Sequence, residues 1–320
     1  MDVWSAAVDN ATHSPFHDRM DTQGGRLSYL GVLRIEGPDA LTFLQGQLSN
    51  DMQRVKSADC VLSACSNAQG RVLAIMRVLA HPSGIIALLP RDLLPATLAH
   101  LSKFVLRAKA KLEDASERLT VIGCLGADAL TAAGLEVPAT GRFVQHGEIS
   151  VSAVPGDGKR FWVIGLSGAL NEALGSAHTA NAEFEQRWRW QDIAAGLPQV
   201  YAATREAFVA QMLNLDLIDG ISFTKGCYTG QEIIARTQHL GRIKRRLFHV
   251  DLPPGKFAIG DALVLRDGRS GRLVEVAAQD GHQRALAVLN LDAVEGAQAS
   301  AAGVIDAVAT LPAYSSAAAS

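Results

Sequence analysis

The residues whose types and spacing best suit chemistry form one short block, residues 225–232, which reads Lys-Gly-Cys-Tyr-Thr-Gly-Gln-Glu. Thr229 and Glu232 have the spacing of a capping box, so the sequence predicts a helix that begins near the second glycine of the block. Cys227 then lies just before a helix N-terminus, where unpaired N–H groups carry partial positive charge. Lys225 adds a full charge nearby. Both features favour a thiolate, which indicates a reactive cysteine.

Local chemistry alone leaves two interpretations of Cys227 open. Gly226 and Gly230 flank the cysteine, and glycines at such positions permit a tight turn or a close approach of the backbone to a ligand. In the same setting a cysteine is often a small side chain that fills a buried turn. These residues by themselves therefore fit a functional thiol and a packing residue equally well.

Basic residues are concentrated around the same block. Residues 225–246 contain six basic residues against one acidic residue, a local net charge of +5, whereas the whole chain has a net charge of −2. Such a segment suits an anionic ligand or a solvated basic face, and we expect a solvated face for residues 244–246. We interpret His239 as an exposed residue at the helix end rather than as a base for the thiol. Asn214 precedes the block, and two roles are open for it: it shapes the loop that carries the block, or it binds a polar ligand.

Length and composition restrict the class of protein. A chain of 320 residues exceeds one ordinary core, so we expect two or three packed units. The content of 48% hydrophobic and 19% charged residues is typical of a soluble globular protein. No apolar run reaches the roughly 18 residues needed to cross a bilayer. Residues 1–21 lack the features of a secretory signal, so the sequence predicts a cytoplasmic protein without membrane contact.

The cysteines exclude a disulfide framework. The four cysteines are scattered and form no Cys-x-x-Cys pair, so we expect reduced thiols and no metal site. The chain also lacks the phosphate loop, the zinc helix motif, the nucleophile elbow and the dinucleotide-binding fingerprint. The common nucleotide and hydrolase signatures therefore give no function.

The elements that must position the block alternate between strands and helices, which predicts an α+β fold. Strands are predicted at residues 26–36, 59–64, 72–80, 84–89, 108–113, 119–125, 148–154 and 160–166. Helices are predicted at residues 40–48, 92–105, 128–133 and 183–195. Beyond residue 246, short strands between turns at 247–252, 262–266, 271–277 and 284–291 predict a small antiparallel barrel. We expect a loop at 155–158 and a loose tail at 315–320.

Residues 220–232, Gly-Ile-Ser-Phe-Thr-Lys-Gly-Cys-Tyr-Thr-Gly-Gln-Glu, closely resemble the signature of the YgfZ-type folate-binding proteins. The resemblance extends through residues 43–51, 65–71, 101–112 and 195–198, and so covers nearly the whole chain. These proteins look like relatives of the aminomethyltransferase of the glycine cleavage system. The resemblance implies two ferredoxin-like or related α+β units around a central cavity, residues 1–118 and 119–242, followed by a C-terminal antiparallel β-barrel, residues 243–320.

The same resemblance implies a function and a set of site residues. It implies tetrahydrofolate binding and a role in the assembly or repair of iron–sulfur enzymes, including radical enzymes that modify tRNA. The tRNA link is then indirect, without stable nucleic-acid binding. Cys227 is the implied functional thiol, with Lys225 beside it. The expected folate contacts are Tyr228, Gln231, Glu232, Arg236, Arg242 and Asn214, in which the guanidinium groups suit the carboxylates of the folate tail.

Two positions depart from the aminomethyltransferases. Asp192, Ile193 and Ala194 stand where those enzymes usually carry an arginine and a glutamate, and Asn67 stands where an acidic residue is expected. The change at Asn67 removes a potential general base. Folate-dependent aminomethyl transfer is therefore our second hypothesis, and a noncatalytic RNA- or ligand-binding module that uses the basic segment is the third. The sequence leaves open whether the protein is an enzyme.

Overall fold

The computed structural model of the chain describes residues 24–155, 159–175, 180–292, 304–305 and 307–312. The expectations for the N-terminal residues 1–21, for most of the loop at 155–158 and for the tail at 315–320 lie outside these residues. None of the helices in the described ranges combines the length and the apolarity that a membrane span requires.

The first sheet has five antiparallel strands in the spatial order β3-β4-β5-β2-β6. The chain opens with β1 (Gly24–Arg26), which joins the second sheet. It then forms the first sheet from β2 (Leu30–Glu36), β3 (Val61–Ser66), β4 (Val72–His81), β5 (Gly84–Pro90) and β6 (Lys111–Asp114). The connections contain α1 (Ala40–Gln47), a 3₁₀ turn (Met52–Ser57) and α2 (Leu94–Ser102). Strand β4 is an almost continuous apolar run because protein covers both of its faces.

The second sheet has the order β1-β7-β10-β9-β8. Its strands and helices after β1 are β7 (Leu119–Leu125), α3 (Asp128–Ala132), β8 (Phe143–His146), β9 (Ile149–Ala153), β10 (Arg160–Leu166), α4 (Ser167–Leu174) and α5 (Ala182–Ala194). Helix α5 begins where the side chain of Asn181 accepts hydrogen bonds from two backbone N–H groups. Trp188 in α5 is fully buried against β7, where a Cβ atom at Gly123 would lie 2.7 Å from its ring. Trp188 is therefore a packing residue.

Strand β1 lies within the first predicted unit but belongs to the second sheet. The sequence predicted one strand at residues 26–36, but the chain turns at residues 27–29 and β1 pairs with β7 of the second sheet. A side chain at Gly25 would meet the ring of Phe184 in α5 at 2.6 Å, so glycine permits β1 to lie beneath this helix. The unit boundary between residues 118 and 119 stays a prediction.

The predicted C-terminal antiparallel barrel is a curled half-barrel that does not close in the part of the chain that the structure describes. Two 3₁₀ turns (Ala202–Thr204 and Ala210–Leu213) and α6 (Gln231–His239) lead into β11 (Arg245–Leu252), β12 (Ala262–Leu265), β13 (Ser270–Gln279), β14 (His282–Asn290), β15 (Val304–Ile305) and β16 (Val308–Thr310). These strands form one curled, open sheet in the order β15-β12-β13-β14-β11-β16, in which β12 and β15 are parallel. One face has its own apolar core and the other packs on the body of the protein, so burial does not require closure.

One buried ionic cluster joins the three sheets. Arg189 of α5 donates hydrogen bonds to Glu275 of β13 at 2.9 Å and to the hydroxyl of Tyr201 at 2.8 Å. Its guanidinium also lies 4.1 Å from the ring centroid of Tyr29, which connects β1 and β2. The Tyr201 hydroxyl in turn donates to Glu275. Burial raises the pKa of Glu275, while the charge of Arg189 opposes that shift. The cluster therefore depends on all of its members being in place.

Replacing Glu275 tests the importance of this cluster for stability. We expect Glu275→Ala to lower the free energy of unfolding by about 3 kcal/mol, because it leaves Arg189 buried without a carboxylate. The matched control is Asp251→Ala, which breaks the exposed pair with Arg284 in the same sheet and should cost less than about 1 kcal/mol. Urea unfolding measures both values. Equal losses in the two variants would contradict the prediction.

Candidate functional site

The loop that carries Cys227 is attached to the C-terminal end of α1 by Lys225. The ammonium of Lys225 donates to the backbone carbonyls of Gln45 at 2.6 Å, Leu48 at 2.7 Å and Asn50 at 2.9 Å. Carbonyl groups at a helix C-terminus lack intrahelical partners and carry partial negative charge, so they favour a cation at this position. Lys225 therefore fixes the loop to an element more than 170 residues earlier in the chain.

These bonds give Lys225 a structural role that the sequence did not indicate, because all three of its N–H donors are used on carbonyl groups. The expected effect of its charge on the Cys227 thiol stays a prediction. The ammonium also lies 5.0 Å from the ring centroid of Tyr228. Burial lowers the pKa of Lys225 to about 8, which leaves it mainly protonated at neutral pH. Lys225 is an anchor for the loop.

Helix α6 begins where the sequence predicted, but the predicted capping box is wrong. Gly230 precedes the helix in the left-handed conformation, with a φ of +83°, and no side chain caps the first turn. The hydroxyl of Thr229 donates to the side chain of Gln47 instead, at 3.2 Å. The side chain of Gln231 accepts a hydrogen bond from the N–H of Tyr228 at 3.3 Å. These contacts bind the loop to α1 and to its own helix.

The start of α6 packs against the turn between β3 and β4. A Cβ atom at Gly230 would lie 2.5 Å from the carbonyl oxygen of Asn67, and one at Gly70 would lie 2.9 Å from Ile233. Glycine is therefore required at both positions for the two backbones to approach. The side-chain oxygen of Asn67 accepts hydrogen bonds from two backbone N–H groups of its own turn. Asn67 shapes this turn, which we call the β3–β4 turn.

Cys227 is presented to solvent on this anchored loop. It is exposed, whereas Cys60, Cys65 and Cys124 are buried. Burial raises the pKa of Cys60 and raises that of the other two buried thiols to about 12. The interpretation of Cys227 as a buried turn filler is therefore wrong. In the described part of the chain, no three His, Cys, Asp or Glu residues are close enough together to hold a metal ion.

The predicted folate contacts do not form one group. Tyr228 is buried beside Lys225, and burial raises its pKa to about 12. Glu232 and Arg236 are exposed on α6. Arg242 is exposed beyond the helix, with Asp292 at 3.9 Å. His239 is exposed at the helix end, as predicted, with its ring against Phe223. The structure thus places Tyr228 and Gln231 near Cys227 in the loop and leaves the two arginines on the surface.

Asn214 is buried where the C-terminal sheet packs on the segment before residues 225–232, and it does not line an open site. Its amide nitrogen donates to the carbonyl of Leu247 at 3.1 Å, and its amide oxygen accepts from the N–H of the same residue at 3.3 Å. The neighbouring Arg246 forms a two-pronged ion pair with Asp216, at 2.6 and 2.9 Å. The expectation of a solvated face is therefore wrong for Arg246. Both contacts attach the C-terminal sheet to the segment before the motif.

A buried cavity that the sequence did not reveal lies where the three sheets meet. Its volume is about 20 Å³, and its polar and aromatic lining comes from Tyr29, Arg77, Trp162, Asp192, Tyr201 and Glu275. These residues belong to separate segments of the chain. No local motif could therefore have indicated the cavity.

Arg77 is the cation of this cavity that forms no ion pair with the described residues. It is 5% exposed, and its Nε and one terminal nitrogen have no hydrogen-bond partner among the residues that the structure describes. The indole nitrogen of Trp162 is also unpaired, and the guanidinium lies 5.8 Å from the centroid of that ring. The nearby Asp192 is paired with Arg160 at 2.5 Å. Burial lowers the pKa of Arg77. Unpaired buried donors are costly, so the cavity is suited to a ligand that supplies acceptor atoms.

Comparisons with known proteins agree on the fold and on the family. The structure resembles the glycine cleavage system aminomethyltransferase T from Bartonella henselae, with a TM-score of 0.60 and 16% identity, over 86% of this chain and 81% of that one. This similarity confirms the aminomethyltransferase-like α+β fold. No protein-family model matches the chain.

Two curated relatives carry the name tRNA-modifying protein YgfZ. The relative from Colwellia psychrerythraea is 33% identical over 226 residues, which cover 69% of each chain. The relative from Klebsiella pneumoniae is 30% identical over 301 residues, which cover 87% of this chain and 90% of that protein. At this identity and coverage, and with the motif loop and fold described above, the chain belongs to the YgfZ family.

Proposed function

We propose that the protein is a tetrahydrofolate-binding factor that assists the assembly or repair of iron–sulfur enzymes and supports tRNA modification through them. The observation that carries the proposal is the exposed thiol of Cys227 on a loop held by Lys225. The names of the relatives, tRNA-modifying protein YgfZ, support the link to tRNA. The clients are proteins whose clusters or cluster ligands this thiol contacts.

A single exposed thiol favours an assisting role over a cluster site within this chain. Iron–sulfur clusters are usually held by four cysteine thiolates, and the three other cysteines are buried. Cys227 therefore acts together with ligands from a client or another thiol. The anchored loop holds its sulfur in a fixed position at the surface, which is what contact with a second protein requires.

The central cavity supplies the chemistry that a pteridine ring needs. The ring has flat faces and acceptor atoms along its edge; Arg77 and Trp162 have unpaired donors, and Tyr29 and Tyr201 provide aromatic faces. The volume of about 20 Å³ corresponds to roughly one water molecule. We therefore propose that tetrahydrofolate enters only when the cavity walls separate. Aminomethyl transfer is not included, because Asn67 provides no carboxylate and its oxygen is used within its turn.

The role of Cys227 is tested in cells that lack the native gene. We expect Cys227→Ser to lose the ability to restore a cluster-dependent tRNA-modifying enzyme, because a hydroxyl is a poor ligand for iron. Thr224→Ala, which alters another exposed residue of the same loop, should restore activity fully. The modified nucleoside is measured in total tRNA, with protein levels matched. Full rescue by the serine variant would remove the thiol from the proposal.

The anchoring role of Lys225 is tested by native-state hydrogen exchange. Hydrogen bonds to charged groups contribute about 1.5–3 kcal/mol, so Lys225→Met should speed exchange of the loop amides by roughly tenfold or more. Lys244→Met removes the same charge from an exposed lysine and should leave the loop unchanged. Mass spectrometry of peptides over residues 222–230 gives the rates. The same slow exchange in both variants would show that the three carbonyl bonds do not hold the loop.

The folate site is tested with Arg77→Met. Loss of its donors should weaken tetrahydrofolate binding by roughly tenfold or more, measured by calorimetry. The free energy of unfolding of the unliganded protein should stay equal or rise, because the change removes a buried cation without a partner. Wild-type affinity in this variant would place the folate elsewhere. A fall in both affinity and stability would make Arg77 a structural residue.

A further inference from the structure

A second site lies between the C-terminal sheet and the segment at residues 203–208. This groove has a volume of about 530 Å³, and strands β11 to β14 form one of its walls. Sites for small molecules typically have volumes of about 300–1,000 Å³. The groove is thus large enough for a nucleotide-sized ligand, in contrast to the central cavity.

One face of the C-terminal sheet changes from apolar to basic side chains at this groove. Leu247 and Val288 are cross-strand partners on this face, and both belong to the main apolar core. Two residues earlier on β11, the same face carries Arg245, which lies opposite Asn290 of β14. On the other side of β14, Arg272 of β13 lies opposite Val288. Because side chains alternate along a strand, the two arginines share this face. The face therefore runs from a packed apolar end to an open basic end.

The groove has an excess of positive charge. Arg205 faces the two sheet arginines from the opposite wall, and Glu206 is the one acidic residue among the described lining residues. Glu206 pairs with Arg205 at 2.9 Å, and the buried Nε of Arg205 has no hydrogen-bond partner in the described part of the chain. Arg245 donates to the neutral side chain of Asn290 at 2.8 Å. Arg272 is exposed and forms no ion pair with the residues described. Three arginines thus face one carboxylate.

We propose that this groove binds a phosphate-bearing ligand of nucleotide chemistry, either free or as part of an RNA strand. A terminal phosphate carries close to two negative charges, which balance the net charge of the lining, whereas a single carboxylate leaves it uncompensated. Guanidinium groups also bind phosphate oxygens through paired hydrogen bonds. Ala203, Ala207 and Ala262 supply accessible apolar surface for an attached ring. The proposal does not depend on the folate site.

Exposed basic residues beyond the groove provide further contacts for an RNA strand. Arg245 is preceded along the chain by the exposed residues Lys244 and Arg242, which belong to the basic segment before β11. Backbone phosphates beyond the first would meet these side chains, and each contact adds a salt-dependent contribution to affinity. A free nucleotide ends within the groove. The two sources of phosphate therefore differ in affinity and in salt dependence.

The experiment compares four probes on the full chain: ADP, a short single-stranded RNA, inorganic phosphate and oligo-γ-glutamate. Calorimetry at about 50 mM and about 200 mM salt gives the affinities and their salt dependence. Binding of ADP with competition by inorganic phosphate supports a free nucleotide. Tighter binding of RNA with a steeper salt dependence supports the polymer. Binding of oligo-γ-glutamate alone, or of no probe at the lower salt, overturns the proposal.

Variants locate the binding in the groove. Arg245→Gln and Arg272→Gln should each weaken the bound phosphate probe by roughly tenfold, the effect of losing one charged contact. Arg118→Gln removes the same charge from the first predicted unit, where this arginine pairs with Glu113. This control variant should bind the phosphate probe with wild-type affinity. Thermal melting checks that each variant is folded, and tetrahydrofolate affinity should stay unchanged. Wild-type affinity in both groove variants would place the phosphate elsewhere and overturn the proposal.

Discussion

The buried guanidinium of Arg189 is the interaction on which the arrangement of the three sheets depends. A buried charge is tolerated only when its partners are in place, and here the partners come from different parts of the chain: Glu275 from the C-terminal sheet, Tyr201 from the preceding loop and Tyr29 from the first turn. Those three residues also line the central cavity. The interaction that joins the sheets thus also sets the walls of the proposed folate site.

Charge balance explains why the same region suits a ligand. Glu275 is compensated by Arg189, and Asp192 by Arg160, but the described residues provide no further carboxylate for Arg77. A folded protein keeps an unpaired buried cation at the expense of stability, so such a residue points to function. Lys225 shows the opposite case, because its partly buried ammonium is fully bonded and serves the structure. A buried arginine and a partly buried lysine therefore have different roles, which depend on their partners.

The sequence was sufficient where local patterns decide the structure and insufficient where distant contacts do. Strands β7 and β10 have the predicted bounds, because each is an apolar run between turn residues. The capping box failed because Gly230 adopts a conformation set by its contact with the β3–β4 turn, far away in the chain. The partners of Lys225 and the role of Asn214 were hidden for the same reason. That the C-terminal barrel stays open could not be predicted, because strand patterns do not specify whether sheet edges meet.

Strand β4 runs between the proposed folate site and the turn that packs against the start of α6. Its first residues follow the turn that packs against the Cys227 loop, and Arg77 lies further along the same strand in the cavity. A strand advances about 3.3 Å per residue, which places Arg77 roughly 20 Å from that turn. In the proposed function, a pteridine ring held by Arg77 is separated by this length of strand from the turn that packs against the start of α6. The proposed folate site and the proposed functional thiol thus lie near different parts of β4, an arrangement that fits an assisting factor better than a one-carbon transferase that uses Cys227.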